Sequence, residues 1–383
     1  MKSSAIERVH WHQLRVSPKT VWSFIELVDA DGRRGVGEAT LGQREPQMRA
    51  ALQRIEDAIV GRAPSDVDLE ARCSTGRSLA DFAVVSALDQ ALWDLAAQQR
   101  GVSVATALGP ALRDRIPVYA NINRGIASRT PEGFAAHARR AIGDGFGALK
   151  IAPFDELRLY GDATAKVEAS DLEPGLARIA AVRDAIGPDV ELMVDCHWRL
   201  NHAGAEAVLR AVEPQRLHWL ECPVPEKPEL LNTIRDIRTL ANAKGIRLAG
   251  CEEMSLVAGF APFLDAACYD VMMPDVKYVG GLREMLRVAE ALRAHGVAFS
   301  PHNPSGPVCH AASVHVCAVA PSLQRLEMQY AETPLFDDIV DGTSPRSAAG
   351  WITVPTTPGL GVRLDPRLMQ QLAAEDGFAR HAS

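Results

Sequence analysis

The sequence predicts an α/β protein whose main part is a parallel β/α barrel. Short apolar runs, each long enough for a buried strand, repeatedly end on a polar or titratable residue. The steps between these ends, from Asp195 onward, are 26, 31, 23, 27 and 25 residues, which suits one strand, one loop and one helix. Parallel strands that close on titratable residues at their carboxyl ends are typical of the catalytic face of such a barrel. The ends are Lys150, Asp195, Glu221, Glu252, Asp275, His302 and Glu327.

Length and composition limit the classes of protein. A chain of 383 residues can hold two domains, or one large barrel with an accessory domain. A net charge of −7 offers no electrostatic footprint for nucleic acid. No apolar run approaches the ~20 residues that cross a bilayer, and no signal-peptide core follows Met1. The seven cysteines have no paired spacing, which favours reduced thiols. We therefore expect a cytoplasmic protein with no membrane or nucleic-acid partner.

The first 115 residues predict an α+β domain. Residues 5–39 read as antiparallel strands, with β-forming residues at 20–28 and a turn signal at 29–32. Helical patterns follow, the clearest from Leu79 to Arg100, where Gly101 is the predicted stop. Strands followed by a run of helices are typical of a domain distinct from the barrel.

From residue 116 strands and helices alternate. The first strand is predicted at 117–122, and Thr130 with Pro131 supplies a cap and a first-turn proline for the first helix. Further helices are predicted at about 173–186, 203–212, 228–243, 256–267, 282–295 and 307–318. This pattern gives eight strands and seven intervening helices within residues 116–340. Residues 341–361 then become rich in Pro, Gly and Thr, and a last helical stretch is predicted near 366–374.

Three strand ends carry carboxylates, namely Asp195, Glu221 and Glu252. Like charges brought together are unfavourable unless a cation lies between them, and oxygen ligands without Cys or His favour Mg²⁺. For the third ligand Glu253 is the alternative, with Glu252 preferred. The acids could instead be separate surface residues. Cys196 and the cysteine before Glu252 are expected to point away, into packing.

Two histidines lie at strand ends beside carboxylates. Side chains two residues apart on a strand share a face, so Asp195 and His197 would face one site unless the segment is only a polar turn. Asp275 could fix the tautomer of His302 and raise its basicity, as a general base requires, although residues 301–307 could form a simple turn. Lys150 could donate to an anionic intermediate, or could be a lysine that snorkels at the barrel mouth.

Taken together, these residues resemble the enolase superfamily, in its mandelate racemase-like branch. The matching segments are GVGEA at 35–39, ALWDLA at 91–96, PD at 274–275 followed by GG at 280–281, and PHN at 301–303. The resemblance implies a (β/α)7β barrel and an N-terminal capping domain that the 341–383 segment completes. It also implies Mg²⁺ on the three carboxylates and abstraction of the proton α to a carboxylate through a metal-stabilised enediolate.

Details of two motifs separate the reactions of this branch. Racemising members carry Lys-x-Lys on the second strand, whereas this chain has Lys150-Ile151-Ala152. Asp195-Cys196-His197 is similar to the Asp-x-His of acid-sugar dehydratases, whose histidine protonates the departing β-hydroxyl. We therefore expect Mg²⁺-dependent dehydration of a sugar acid to a 2-keto-3-deoxy acid.

The expected roles follow from the same resemblance. His302, paired with Asp275, takes the α-proton, and His197 protonates the leaving hydroxyl. Lys150 and Mg²⁺ hold the substrate carboxylate, and Glu327 offers a further hydrogen-bonding or electrophilic group.

Other functions stay open at this point. An epimerase or sugar-lactone cycloisomerase would use His302 with Lys150 opposite, and a metal-free barrel scaffold would have no reaction. Substrate specificity is expected from loops at residues 16–18 and 41–44. There Arg44 could meet a distal carboxylate of a diacid sugar or could simply be solvated. A homo-oligomer is also expected.

Overall fold

The computed structural model describes residues 4–69, 77–157, 167–340 and 343–375. Its N-terminal part is an antiparallel sheet of β1 (Ile6–Arg15), β2 (Val21–Asp29) and β3 (Arg34–Glu38), followed by α1 (Glu45–Gln53), α2 (Leu79–Arg100) and α3 (Val104–Leu108). The predicted antiparallel strands and the predicted long helix are confirmed. Ser78 caps α2 through a hydrogen bond from the Asp81 amide, and Gly101 ends it in the left-handed conformation with φ of 68°.

Strands and helices alternate through the next 200 residues, as predicted. In chain order they are β4 (Arg115–Asn121), α4 (Pro131–Gly143), β5 (Ala148–Ile151), α5 (Ala169–Ile186), β6 (Glu191–Asp195), α6 (His202–Ala211), β7 (Trp219–Glu221), α7 (Leu231–Asn242), β8 (Arg247–Gly250), α8 (Leu256–Asp265), β9 (Val271–Met272), α9 (Leu282–Ala294), β10 (Ala298–Phe299), α10 (Pro307–Val319) and β11 (Leu326–Gln329). The last elements of the described residues are α11 (Leu335–Asp338), β12 (Ser347–Ala348), β13 (Trp351–Thr353) and α12 (Pro366–Glu375).

The strands β4 to β10 lie side by side in chain order and are parallel, so the fold is α/β. The last parallel strand, β11, pairs with β4 at the first edge of this sheet. At the other edge, Leu323, just before β11, forms a single parallel bridge with Phe299 of β10. Two hydrogen bonds accompany the bridge, from the Phe299 amide to Ser322 at 3.1 Å and from the Gln324 amide to Phe299 at 2.8 Å.

Three details of the sequence prediction are wrong. Helix α5 begins at Ala169 rather than near residue 173, because the Asp171 carboxylate accepts the Glu168 amide at 3.2 Å and starts the helix upstream of Pro174. Part of the stretch expected to be irregular is the β12–β13 hairpin, and β13 pairs antiparallel with the start of β4. Strands of two and three residues are too short to leave a periodic signal in a sequence.

The third error concerns the strand ends. Only Asp195 and Glu221 are the last residues of their strands, whereas Glu252, Asp275 and His302 lie two or three residues beyond β8, β9 and β10. In these three segments the regular strand hydrogen bonds end before the functional residue is reached. The residues still lie at the carboxyl end of the sheet, and Asp275 and His302 form an isolated parallel bridge.

The N-terminal part is joined to the parallel sheet by polar side chains at helix starts. Glu38 accepts the amides of Gly306 and Cys309 at 2.7 and 2.9 Å, at the start of α10. Asp89 accepts the Leu282 amide at 2.6 Å, at the start of α9. Carboxylates are favourable at helix N-termini because free amides and the helix dipole meet there. The motif at residues 35–39 therefore contacts the start of α10 through Glu38, and the motif at 280–281 precedes the α9 amide that Asp89 binds.

Close packing of β3 on α2 depends on a glycine. A Cβ atom at Gly37 would lie 1.8 Å from the carbonyl oxygen of Ala87, so no larger residue fits there. Among the described residues, no helix is long and apolar enough to cross a membrane.

Candidate active site

The three predicted carboxylates converge at the carboxyl end of the sheet. One oxygen from each of Asp195, Glu221 and Glu252 lies within 4.8 Å of the others, and all three side chains are buried. Trp219, in the interior of the sheet, donates its indole N–H to Glu221 Oε2 at 2.8 Å and so orients that group. Glu253, the alternative third ligand, is exposed. Cys196 and Cys251 are buried in the hydrophobic core, as predicted.

The charges of this cluster suit a bound cation. Burial, together with Asp195 and Glu327, raises the pKa of Glu221 to about 8 in spite of Lys150. Burial and the charges of Asp195 and Glu221 also raise the pKa of Glu252 well above its usual value. Three buried carboxylates therefore resist being ionised together, and a divalent ion between them would remove the conflict. An all-oxygen donor set of this kind fits Mg²⁺.

Lys150 is held as a cation among the acids. Its Nζ lies 2.5 Å from Glu221 Oε1, 3.1 Å from Glu327 Oε1 and 3.8 Å from Asp195 Oδ2. Burial disfavours the charged ammonium, but Glu221 and Glu327 outweigh it and raise the pKa of Lys150 well above its ordinary value. This is a buried, multiply paired group, unlike a snorkelling lysine at a barrel mouth.

His197 lies between two aspartates. Its Nε2 is 2.9 Å from Asp195 Oδ2, and its Nδ1 is 2.5 Å from Asp155 Oδ1. Burial opposes protonation, but Asp195 and Asp155 raise the pKa of His197 well above 6.5. The predicted reason for the Asp195–His197 contact is wrong, since β6 ends at Asp195. The two side chains meet because His197 and Trp198 form a left-handed turn, with φ of 45° and 55°.

At the other end of the carboxylate row, His302 and Asp275 form the predicted pair. His302 Nδ1 lies 2.7 Å from Asp275 Oδ2, and His302 Nε2 lies 3.6 Å from Glu252 Oε2. Burial opposes ionisation of Asp275, yet Lys277 and the hydrogen bond to His302 lower its pKa. An ionised Asp275 fixes the tautomer that leaves Nε2 of a neutral His302 free to accept a proton.

Glu327 accepts hydrogen bonds from residues that are distant in sequence. Its Oε1 accepts Asn121 Nδ2 at 2.6 Å, and its Oε2 accepts the Asn303 amide at 3.0 Å. Burial opposes its ionisation, but Lys150 and His302 lower the pKa of Glu327. An ionised Glu327 accepts hydrogen bonds, and its two expected roles, hydrogen-bonding or electrophilic, stay predictions.

A cavity of about 370 Å³ opens onto these groups. It is lined by Asp195, His197, Glu252 and His302, and by residues that sequence reasoning missed: Lys19, Thr20, Asn121, Asn123, Arg124, Arg129, Asp155, Trp198, Lys277 and Tyr278. Most of the missed residues lie on loops, where periodicity gives no signal. Arg44 is exposed and does not line the cavity. A second cavity of about 540 Å³, beside residues 64–69 and α2, shares no lining residue with it.

The fold and this site define a class of α/β protein with two histidine–aspartate pairs and a buried carboxylate cluster that could hold a cation, at the carboxyl end of a parallel sheet. Two family profiles match the chain: the Mandelate racemase / muconate lactonizing enzyme N-terminal domain over residues 9–109, and the Enolase C-terminal domain-like family over residues 133–368. The chain belongs to the enolase superfamily, in its mandelate racemase and muconate lactonizing enzyme branch.

Two relatives of the chain are dehydratases by name. D-gluconate dehydratase of Thermoproteus tenax is 32% identical over 358 residues, which cover 92% of this chain and 70% of that protein. D-galactonate dehydratase of Variovorax paradoxus (strain S110) is 29% identical over 365 residues, which cover 92% of this chain and 91% of that protein.

Solved structures agree over almost the whole chain. A mandelate racemase/muconate lactonizing enzyme-like protein from Roseovarius sp. TM1035 superposes with a TM-score of 0.86 at 26% identity, covering 96% of this chain and 95% of the other. A mandelate racemase/muconate lactonizing enzyme from Jannaschia sp. CCS1 gives 0.85 at 25%, covering 96% and 97%.

Proposed function

We propose that this protein is a Mg²⁺-dependent dehydratase of a monocarboxylic sugar acid. One observation carries the proposal: two histidines, each paired with its own aspartate, stand at the two ends of a row of three carboxylates. An acid and a base on either side of one substrate suit the removal of water. The dehydratase relatives support the same reaction class.

His302 is the proposed base. Its Nε2 takes the proton from the carbon next to the substrate carboxylate, while Asp275 holds Nδ1 and favours the imidazolium that forms. Lys150 donates toward the substrate carboxylate, and Glu327 positions Lys150 and the Asn303 amide.

His197 is the proposed acid. It gives its proton to the hydroxyl on the β-carbon, which leaves as water, and the enol then becomes the 2-keto-3-deoxy acid. A cation on Asp195 would compete with His197 for that carboxylate, so Asp155 becomes the partner that keeps the ring protonated.

The metal would be held by Asp195, Glu221 and Glu252. When bound, Mg²⁺ would supply positive charge to the substrate carboxylate as negative charge moves onto it.

A monoacid is favoured by how the cations of the cavity are paired. Arg124 faces Glu332 at 3.4 Å, and Arg129 lies 3.4 Å from Asp155. These arginines already have carboxylate partners, and Arg44 lies outside the cavity. Among the described cations that line the cavity, Lys19 has no carboxylate partner, whereas at the two arginines a second substrate carboxylate would compete with acids already in place. Hydroxyl groups could use the remaining donors and acceptors.

An isomerase of the same branch is the second candidate. It needs a second base facing His302, and the place of a second lysine holds Ala152, whose amide donates to Asn123 at 2.5 Å. Lys150 itself lies beside three carboxylates, and with a cation on Asp195 and Glu221 its remaining carboxylate partner would be Glu327, at 3.1 Å.

We also propose an overall architecture for the chain. We infer a (β/α)7β barrel over residues 116–340, with residues 1–115 and 341–383 forming a capping domain. The β4–β11 pairing and the Leu323–Phe299 bridge support a closed ring of eight strands. We also expect Mg²⁺-loaded homo-oligomers in the cytoplasm.

The test is a substrate screen with purified protein and Mg²⁺, using aldonic and aldaric acids and detecting 2-keto acids. We expect a keto acid from at least one aldonic acid and loss of activity with a chelator. Turnover to an isomer without keto acid would favour the isomerase. No bound Mg²⁺ and no change in melting temperature on adding it would favour the non-catalytic scaffold.

A further inference from the structure

Lys277 is a buried lysine in the cavity wall that the proposed reaction does not use. Its side chain is 3% exposed, and its Nζ lies 3.0 Å from Asp275 Oδ2 and 2.6 Å from Ser305 Oγ. A buried ammonium is costly unless it is paired, so its place beside the proposed catalytic pair calls for an explanation. Filling space does not explain it, since an apolar side chain of similar length would fill the same volume and leave the buried Asp275 without its ammonium partner.

The contacts of Lys277 join the two loops that carry the proposed catalytic pair. Asp275 Oδ2 accepts both His302 Nδ1 at 2.7 Å and Lys277 Nζ, while Asp275 Oδ1 accepts the Lys277 amide at 2.8 Å. Ser305 lies three residues after His302 in the same buried loop. Lys277 therefore connects the loop of Asp275 to the loop of His302 independently of the histidine itself.

We propose that Lys277 is a positioning residue for His302, which fixes the Asp275 carboxylate and the 302–305 loop so that the base points at the substrate α-carbon. This inference rests on the proposed function for its catalytic consequence. The backbone amide of residue 277 holds Asp275 Oδ1 whatever the side chain is. The lysine side chain adds a second donor to Oδ2 beside His302 and the link to Ser305, and these contacts restrain the carboxylate and the His302 ring. A displacement of about 1 Å in a catalytic group can lower a rate by ~10²-fold.

The variants are Lys277→Met and Lys277→Ala, with Ser305→Ala as a milder change and Lys244→Met as the control for loss of a lysine. Lys244 pairs with Glu213, away from the cavity. We expect Lys277→Met to lower kcat by ~10–10²-fold with little change in KM, and to lower α-proton exchange with deuterium by the same factor. Ser305→Ala should lower kcat by a few fold, and Lys244→Met should not change it.

Two measurements separate positioning from a role in folding. Propylammonium should restore part of the kcat of Lys277→Ala, because the cation can re-enter from the cavity, and should restore none in His302→Asn. In NMR spectra of protein labelled with ¹⁵N-histidine, the Nδ1 proton signal that His302→Asn removes should shift in Lys277→Met and stay in place in Lys244→Met.

The outcomes distinguish this inference from the proposed function. If the wild type forms no keto acid but the His302 signal shifts in Lys277→Met, the dehydratase proposal fails and the positioning role stands. An unchanged signal in Lys277→Met overturns the positioning role whatever the activity. A wild-type kcat in Lys277→Met, or dehydration lost while α-proton exchange continues, overturns it as well.

Discussion

His197 and His302 use their two ring nitrogens in the same way. Each Nδ1 contacts an aspartate, at 2.5 Å for Asp155 and 2.7 Å for Asp275. Each Nε2 faces a member of the carboxylate row, at 2.9 Å for Asp195 and 3.6 Å for Glu252. The two ends of the site are therefore built from the same pair of contacts.

Their surroundings differ. The side chain of His197 is 36% exposed and lies on a left-handed turn, whereas that of His302 is 11% exposed in a loop held to Glu38, Glu327 and Lys277. A group that removes a proton from carbon gains from a fixed, dry position, because charge interactions are stronger where water is excluded. A group that protonates a departing hydroxyl next to solvent tolerates more exposure. The comparison predicts that substitutions of the two histidines slow different steps of the reaction.

The largest effect is expected from His302→Asn. Without the base, both α-proton exchange and dehydration should fall by about 10⁴-fold, the upper end of a general-base contribution. Exchange followed by NMR in deuterium oxide and keto-acid formation measure the two steps. His295→Asn, at an exposed site after α9, is the control. Exchange that survives in His302→Asn but disappears in Lys150→Met would make Lys150 the base and revive the isomerase.

His197→Asn should separate the two steps. Dehydration should fall by ~10²–10⁴-fold, because the leaving hydroxyl has lost its acid, while α-proton exchange continues through His302. The same two assays on one preparation measure this ratio. Parallel loss of exchange and dehydration would show that His197 acts before the hydroxyl leaves.

Asp155→Asn should have a smaller effect on the acid side alone. This change removes the carboxylate that would keep His197 protonated and oriented when a cation engages Asp195, and we expect dehydration to fall by about 10-fold with exchange unchanged. Glu156→Gln is the matched control, since Glu156 pairs with Arg129 and Arg178 and has no contact with His197. An equal loss in both variants would point to general loosening of this loop.

Two histidines on α10, His310 and His315, form hydrogen bonds with amide and carbonyl groups instead of carboxylates. His315 Nδ1 accepts the Ala105 amide at 3.2 Å, and its Nε2 donates to the Leu360 carbonyl at 3.1 Å. His310 is held in the same tautomer, between Asn303 Nδ2 and the Pro345 carbonyl. Burial disfavours the charged imidazolium and lowers the pKa of each ring to about 4, although the hydrogen bonds to the Pro345 and Leu360 carbonyls oppose this shift.

The smallest effect that we predict is on the free energy of unfolding, through the pH-dependent charge of these two histidines. A folded-state pKa of about 4 lies below the unfolded value of 6.5, so the stability from neutral His315 is present above pH 6.5 and is lost as the pH falls toward 4. Between pH 7.5 and 5 the loss is roughly 2 kcal/mol per histidine. Urea unfolding of wild type and His315→Gln should show their free energies of unfolding converge by this amount. A constant difference would contradict it.

Much of the site was predictable from the sequence because strands end at regular intervals. Lys150, Asp195 and Glu221 belong to the strands themselves, so the spacing of apolar runs located them directly. Glu252, Asp275 and His302 lie beyond their strands, yet they were located because they follow the same apolar runs. The roles of all these residues stay predictions until variants are assayed.

The residues that were missed have a common physical character. Asp155 and Lys277 lie on loops, and their importance comes from contacts with residues distant in sequence, at His197 and Ser305. No periodicity marks such a residue. For Lys277 a signal did exist, since it is two residues from Asp275, but a lysine near a strand end is more often exposed than buried.

Glu38 has a consequence for how the chain folds. The loop that carries His302 continues into α10, whose first amides are bound by a carboxylate 268 positions earlier in the sequence. Contacts over such separations form late, because a very long loop must close before they contribute. His302 should therefore reach its final position among the last events of folding, after Glu38 has met the start of α10. A folding chain in which the three carboxylates have already come together would still lack an ordered His302. Such a chain could bind the cation before it could catalyse the reaction.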